Sequence, residues 1–138
     1  MSIVQTQTTS FKKELYQAIH DLSTDTVKIA LYTGNADLNA DTTVYSATNE
    51  VSATGYTAGG EVMTGVSISS SGYVAYANWN NVSWTSALTA RCALIYNASK
   101  SNKSIAVLDF GADKTSTVTF TITMPANGST TALIRSAN

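Results

Sequence analysis

The spacing of hydrophobic residues changes once along the chain. Between residues 10 and 22, Phe11, Leu15, Ile19 and Leu22 recur at helical intervals with Ala18 beside them, and Lys12, Lys13, Glu14 and Gln17 take the other face. This predicts one amphipathic helix over 10–22, with Ser10 as its N-cap. After the turn-like Ser23-Thr24-Asp25-Thr26 the period becomes two, and Val27, Ile29, Leu31 and Thr33 share one face of a half-buried strand. Further strands are predicted at 62–69, 73–78, 82–84, 90–96, 104–109, 118–123 and 132–135, with turn signals such as Ser70-Ser71-Gly72 and Asn80-Asn81 between them. In 117–124, Val118, Phe120, Ile122 and Met124 point to the core while four threonines point away. The fold class this predicts is mainly β: a single-domain antiparallel β-sandwich or compact barrel with one N-terminal α-helix.

Two stretches fall outside the pattern. Residues 1–9 read as a flexible polar arm, and residues 34–60 as a long polar loop ending in Gly55-Tyr56-Thr57-Ala58-Gly59-Gly60. A connection of that length in one domain of 138 residues is either functional or ordered by a neighbour.

Composition sharpens the picture. Charged residues make up 12% of the chain, about half the usual share of about 25%, so its polar surface is largely Ser, Thr, Asn and backbone. Such a surface is cheap to desolvate, which suits a subunit buried in an assembly. A net charge of −1 with no basic cluster removes the electrostatic basis for nucleic-acid binding. The first residues lack the blocks of a secretory signal and no stretch is apolar enough to span a bilayer, so cytosolic synthesis without a membrane partner is expected. Under that expectation the N-x-S sequences at Asn81, Asn97, Asn102 and Asn127 stay unglycosylated.

Catalytic chemistry finds little support. His20 reads as a helix-end residue, facing the C-terminal carbonyls as an imidazolium. Single Cys92 reads as a buried strand position. Asp37 and Asp41 lack the carboxylate density and closing Glu of a calcium loop. Asp109-Phe110-Gly111 matches a kinase tripeptide without the other kinase parts and reads as a strand end with a turn glycine. Glu50 and Glu61 are the carboxylates a glycan hydrolase would have to use. The chain reads as a non-enzyme with no cofactor and no metal. Tyr73, Tyr76, Trp79 and Trp84 cluster as core and subunit interface, with stacking on sugar rings as the alternative.

Six segments together carry a resemblance: Phe11-Lys12-x-Glu14-Leu15 with Ile19-His20-Asp21; residues 27–33; Glu50-Val51; residues 55–60; residues 88–97; and Ala106-Val107-Leu108-Asp109-Phe110-Gly111. The series, which runs from the helix almost to the C-terminus, resembles a group of small tailed-bacteriophage virion proteins, with Cys92 standing where a small residue is expected. The resemblance implies a virion structural protein made in the host cytoplasm and, more specifically, a capsid decoration (cement) protein on the capsid surface. Its implied partners are the major capsid protein and further copies of itself, with a trimer favoured. A tail, head-fibre or head-to-tail connector role is the alternative. On this reading the arm and the long loop lie on a neighbour, with Val4, Thr6, Tyr45, Tyr56, Gly59 and Gly60 as candidate interface residues, and removal of residues 1–9 is expected to leave the fold intact.

Overall fold

The computed structural model describes residues 2–137. Along these the chain forms β1 (Thr6–Gln7), α1 (Thr9–Tyr16), β2 (Val27–Tyr32), β3 (Glu61–Val62), β4 (Ser67–Ser71), β5 (Val74–Asn78), β6 (Val82–Trp84), β7 (Thr89–Asn97), β8 (Lys103–Thr115), β9 (Phe120–Ile122) and β10 (Ile134–Ser136). The mainly β, antiparallel fold with one short helix is as the sequence pattern predicts, and it is consistent with a small β-sandwich-like domain.

Strands β1-β8-β7-β2-β3 form the principal sheet, in that order, with every pairing antiparallel. A three-stranded sheet, β10-β5-β4, and the β6-β9 ribbon accompany it. Alternation along the central strands sends Val27, Ile29 and Leu31 of β2 and Ala93 and Ile95 of β7 to one face. There they meet Phe11 of the helix, Trp79, Trp84, Phe120 and Ile134, which forms the larger core. The opposite face carries Ala30, Tyr32, Cys92, Leu94, Tyr96 and Val107, and it too is buried, beneath Ala36 and Leu38 with Ile3 and Tyr45 packed alongside. The strand at 27–32 is therefore not half-buried as expected. Residues 34–50 roof its second face, because small and aromatic side chains on both sides of the pleat need cover.

The helix is shorter than its periodicity suggests. It is capped by Thr8, whose Oγ1 accepts from the Phe11 N–H at 3.3 Å, and not by Ser10. It ends at Tyr16 because Ala18 adopts φ 58°, a left-handed conformation. The Ala18 and Ile19 N–H groups then bond back to the carbonyls of Leu15 and Glu14 at 3.2 and 3.0 Å, the paired closure of a Schellman motif. Ile19 and Leu22 keep partial burial after the helix has ended.

Strand boundaries differ where the ladder is irregular. The expected 62–69 strand splits into β3 and β4, and the 104–109 strand becomes 13 residues long. In β8 the register jumps from Cys92 opposite Asp109 to Ala90 opposite Lys114, so residues 110–113 bulge out of the ladder. Asp109-Phe110-Gly111 thus opens a bulge and does not end a strand. Gly111 there has φ 81°, and the Phe110 ring turns to meet Phe120 at 6.1 Å between centroids. Phe120, Ile122 and Met124 are buried as expected, but Val118 lies before β9 and is 68% exposed.

Candidate interaction surface

The arm is tied down. Val4 N–H donates to Leu38 O at 3.0 Å, Leu38 N–H to Ser2 O at 2.8 Å, and Ser2 N–H to Asp37 Oδ1 at 3.1 Å. Thr6 and Gln7 pair with Val107 and Ala106, and Thr8 is fully buried with its Oγ1 2.9 Å from Ser104 Oγ. The expectation of a flexible 1–9 arm is corrected accordingly for residues 2–9; Met1 lies outside the described residues. The polar character that suggested flexibility instead supplies hydrogen bonds to the sheet edge and to residues 37–38.

The 34–60 segment is organised around Glu50. Its Oε1 accepts from Tyr45 Oη at 2.5 Å, and its Oε2 accepts from Tyr56 Oη at 2.6 Å and from the Gly59 N–H at 2.8 Å. Tyr56 Oη also accepts from the Leu31 N–H at 2.8 Å. Tyr96 donates to Gly59 O at 2.6 Å and stacks on Tyr45 at 4.7 Å, while Tyr32 donates to Ser46 O at 2.6 Å. Burial, reinforced by the Glu50 charge, pushes the hydroxyls of Tyr32, Tyr45 and Tyr56 well above their ordinary range and that of Tyr96 up to about 12. They stay protonated and serve as donors.

Of the candidate interface residues, this cluster gathers Tyr45, Tyr56 and Gly59. Tyr56 and Gly59 are buried and fully engaged within the chain, and Tyr45 is half-buried, so all three anchor the segment from inside. Gly60 is also structural: with φ 80°, a Cβ there would stand 1.8 Å from Ile29 O. Thr6 is half-buried in β1, its hydroxyl donating to Gln7 O at 2.8 Å. Val4, 47% exposed, is the one candidate facing outward, and within the segment Val44 is 49% exposed. Sequence reasoning missed Glu50 as the organiser and Val44 as an exposed apolar residue. Tyr45 and Tyr56 flank Glu50 at intervals that match no recognisable motif; the density of hydroxyls around a lone carboxylate was the available signal.

The remaining candidate chemistry is absorbed by structure. His20 lies beyond the end of α1 and is buried, and does not face the helix carbonyls. Asn97 Nδ2 donates to its Nδ1 at 3.0 Å and to Asp25 Oδ2 at 2.7 Å, so Nδ1 carries no proton and Nε2–H donates to Glu14 Oε1 at 2.9 Å. Burial raises the Asp25 carboxyl, but bonds from Asn97, the Asp21 N–H and Lys100 outweigh it and leave the group below its ordinary value. Cys92 is fully buried, and burial pushes its thiol up to about 11, which leaves it unreactive at neutral pH. Asp37 is occupied by Ser2 and Asn39, and Glu61 is exposed in β3, away from the three donors that hold Glu50. Among the described residues no three His, Cys, Asp or Glu side chains form a metal-binding group, and no helix is long and apolar enough to cross a membrane.

What remains outward on this side is a polar groove of about 440 Å3, lined by Asp37, Asn39, Thr42, Thr43, Ser46 and Asn49, with Val44 at its wall. The family models, curated proteins and solved structures with which the chain was compared contain no match to it.

Proposed function

We propose that this chain is a structural protein of a tailed-bacteriophage virion, a decoration protein that binds the outer capsid surface and stabilises the junctions between capsomers. The observation that carries the reading is the 34–60 segment: it is fastened at its base by Glu50 and the tyrosines, while residues 41, 43, 44 and 46–49 are exposed. A surface ordered before binding spares the entropy that a flexible loop would lose on contact. Apart from Asp37 and Asp41, its exposed polar groups are hydroxyls and amides, which together with Val44 are cheap to desolvate against a capsid protein, and the six-segment resemblance supplies the identity of that partner.

The role needs no chemistry, only contact area repeated over a lattice. Imaging of intact particles at residue-level detail tests it. Hundreds of copies over capsomer junctions, with Val44 and Val4 at the contact, are the expected result. A handful of copies at one vertex or on the tail overturns it in favour of a connector or fibre role.

A further inference from the structure

The edges of the sheets are treated unequally. In the principal sheet the edge strands β1 and β3 are two residues long, too short to template another strand. In the three-stranded sheet the outer side of β10 is covered in part by Gln7, whose Nε2 donates to Arg135 O at 3.0 Å. The other edge, β4, is five residues long and exposed from Ile68 to Ser71, with nothing paired to its outer side among the described residues. Its sequence, Ser67-Ile68-Ser69-Ser70-Ser71, holds no charge and no proline, the usual guards of an edge.

The geometry of the hairpin decides which backbone groups are free. Ser71 faces Val74 across the two-residue turn Gly72-Tyr73, and Gly72 has φ 59°, the requirement for the first position of a type II′ turn. Such a turn closes on a hydrogen-bonded pair, so Ser71, Ser69 and Ser67 bond inward to β5 and Ile68 and Ser70 direct their N–H and C=O outward. Those two residues are symmetric about Ser69. A second β4 laid antiparallel on the first therefore matches Ile68 with Ser70 and Ser70 with Ile68, forming four backbone hydrogen bonds with Ser69 opposite Ser69.

We infer that two copies of the chain associate through β4, antiparallel about a twofold axis at Ser69, joining their three-stranded sheets into one. Any other antiparallel register leaves part of the free set unmatched, and the absence of charge on β4 means that nothing repels an identical strand. Tyr73, 91% exposed at the hairpin tip, and Ile68, 54% exposed, then gain cover from the neighbouring copy. A twofold pair replaces the trimer expected from the resemblance. It concerns the isolated chain, so its success or failure is separate from capsid binding.

Sedimentation equilibrium of the full chain across a concentration series is the test. The expected mass rises from 14.5 kDa toward twice that value. Ser70→Pro removes an outward N–H while sparing the β4-β5 ladder, and Ser69→Lys sets two like charges face to face; each should weaken the dimer about tenfold or more. Ser69→Cys should give a covalent dimer on mild oxidation, because facing residues of a non-hydrogen-bonded pair lie about 4.5 Å apart at Cα. A chain that is monomeric at every concentration, a trimer, a dimer unaffected by both of the first two variants, or a Ser69→Cys variant that dimerises without cross-linking would overturn the inference.

Discussion

Tyr56 and Glu50 meet at 2.6 Å, hydroxyl to carboxylate, and the same hydroxyl takes the Leu31 N–H at 2.8 Å, so one side chain joins the long segment to the central strand. Tyr56→Phe keeps the ring against Trp84 and removes both bonds. The expected loss is about 2 kcal/mol, measured by urea denaturation, with faster amide exchange at Leu31 and Gly59. A change below a few tenths of a kcal/mol would show that the segment is held by packing alone.

The same cluster sets the alkaline limit of the fold. Tyr32, Tyr56 and Tyr96 are buried and their folded-state pKa values lie above the unfolded value of about 10. Their stabilising contribution is complete below pH 10 and is lost as pH rises above it, toward about 12 for Tyr96. Each should steepen the fall by roughly 1.4 kcal/mol per pH unit. Stability measured between about pH 9 and pH 11.5 checks this, and Tyr32→Phe should flatten the slope by one such increment.

Ala18 carries a left-handed φ of 58° at an exposed site where a glycine would be unstrained. Ala18→Gly is expected to stabilise the protein by about 1 kcal/mol, against the usual sign of a glycine substitution. Thermal unfolding reads it as a rise of a few degrees. A fall in the midpoint would mean that the helix runs on through residue 18.

Truncation separates the arm's two parts. Beginning the chain at Gln5 removes the bonds to residues 37 and 38 and should lower stability modestly while the fold survives. Beginning it at Thr9 also removes β1 and the buried cap Thr8, and should cost at least about 3 kcal/mol. Circular dichroism melts of the two chains distinguish these outcomes; equal midpoints would contradict the structure. The removal of residues 1–9 therefore tests folding, and only the shorter truncation tests attachment.

The central strands were legible because their alternation is strict: Val27, Ile29 and Leu31 face the larger core as the pattern says. The helix end was not, since its left-handed residue is an alanine and the usual glycine signal is missing. Nor was the excursion at 110–113, because a bulge leaves the hydrophobic pattern on either side undisturbed. At the candidate surface, the long polar run of residues 34–60 was legible, but not its anchoring: Tyr45, Tyr56 and Gly59 converge on Glu50, and Tyr96 joins them from β7. Polar sequence suggests mobility until the acceptor is known, and here it is one carboxylate whose nearby donors form no recognisable motif.

The pairing of Thr6 with Val107 also orders events in time. A ribosome releases the N-terminal residues first, yet their partner strand emerges only after about a hundred more residues have been added. The first segment made thus waits for β8 before it can be held at the sheet edge. A chain that has not yet reached residue 107 has no partner strand for Thr6 and Gln7, so that edge of the principal sheet closes only late in synthesis.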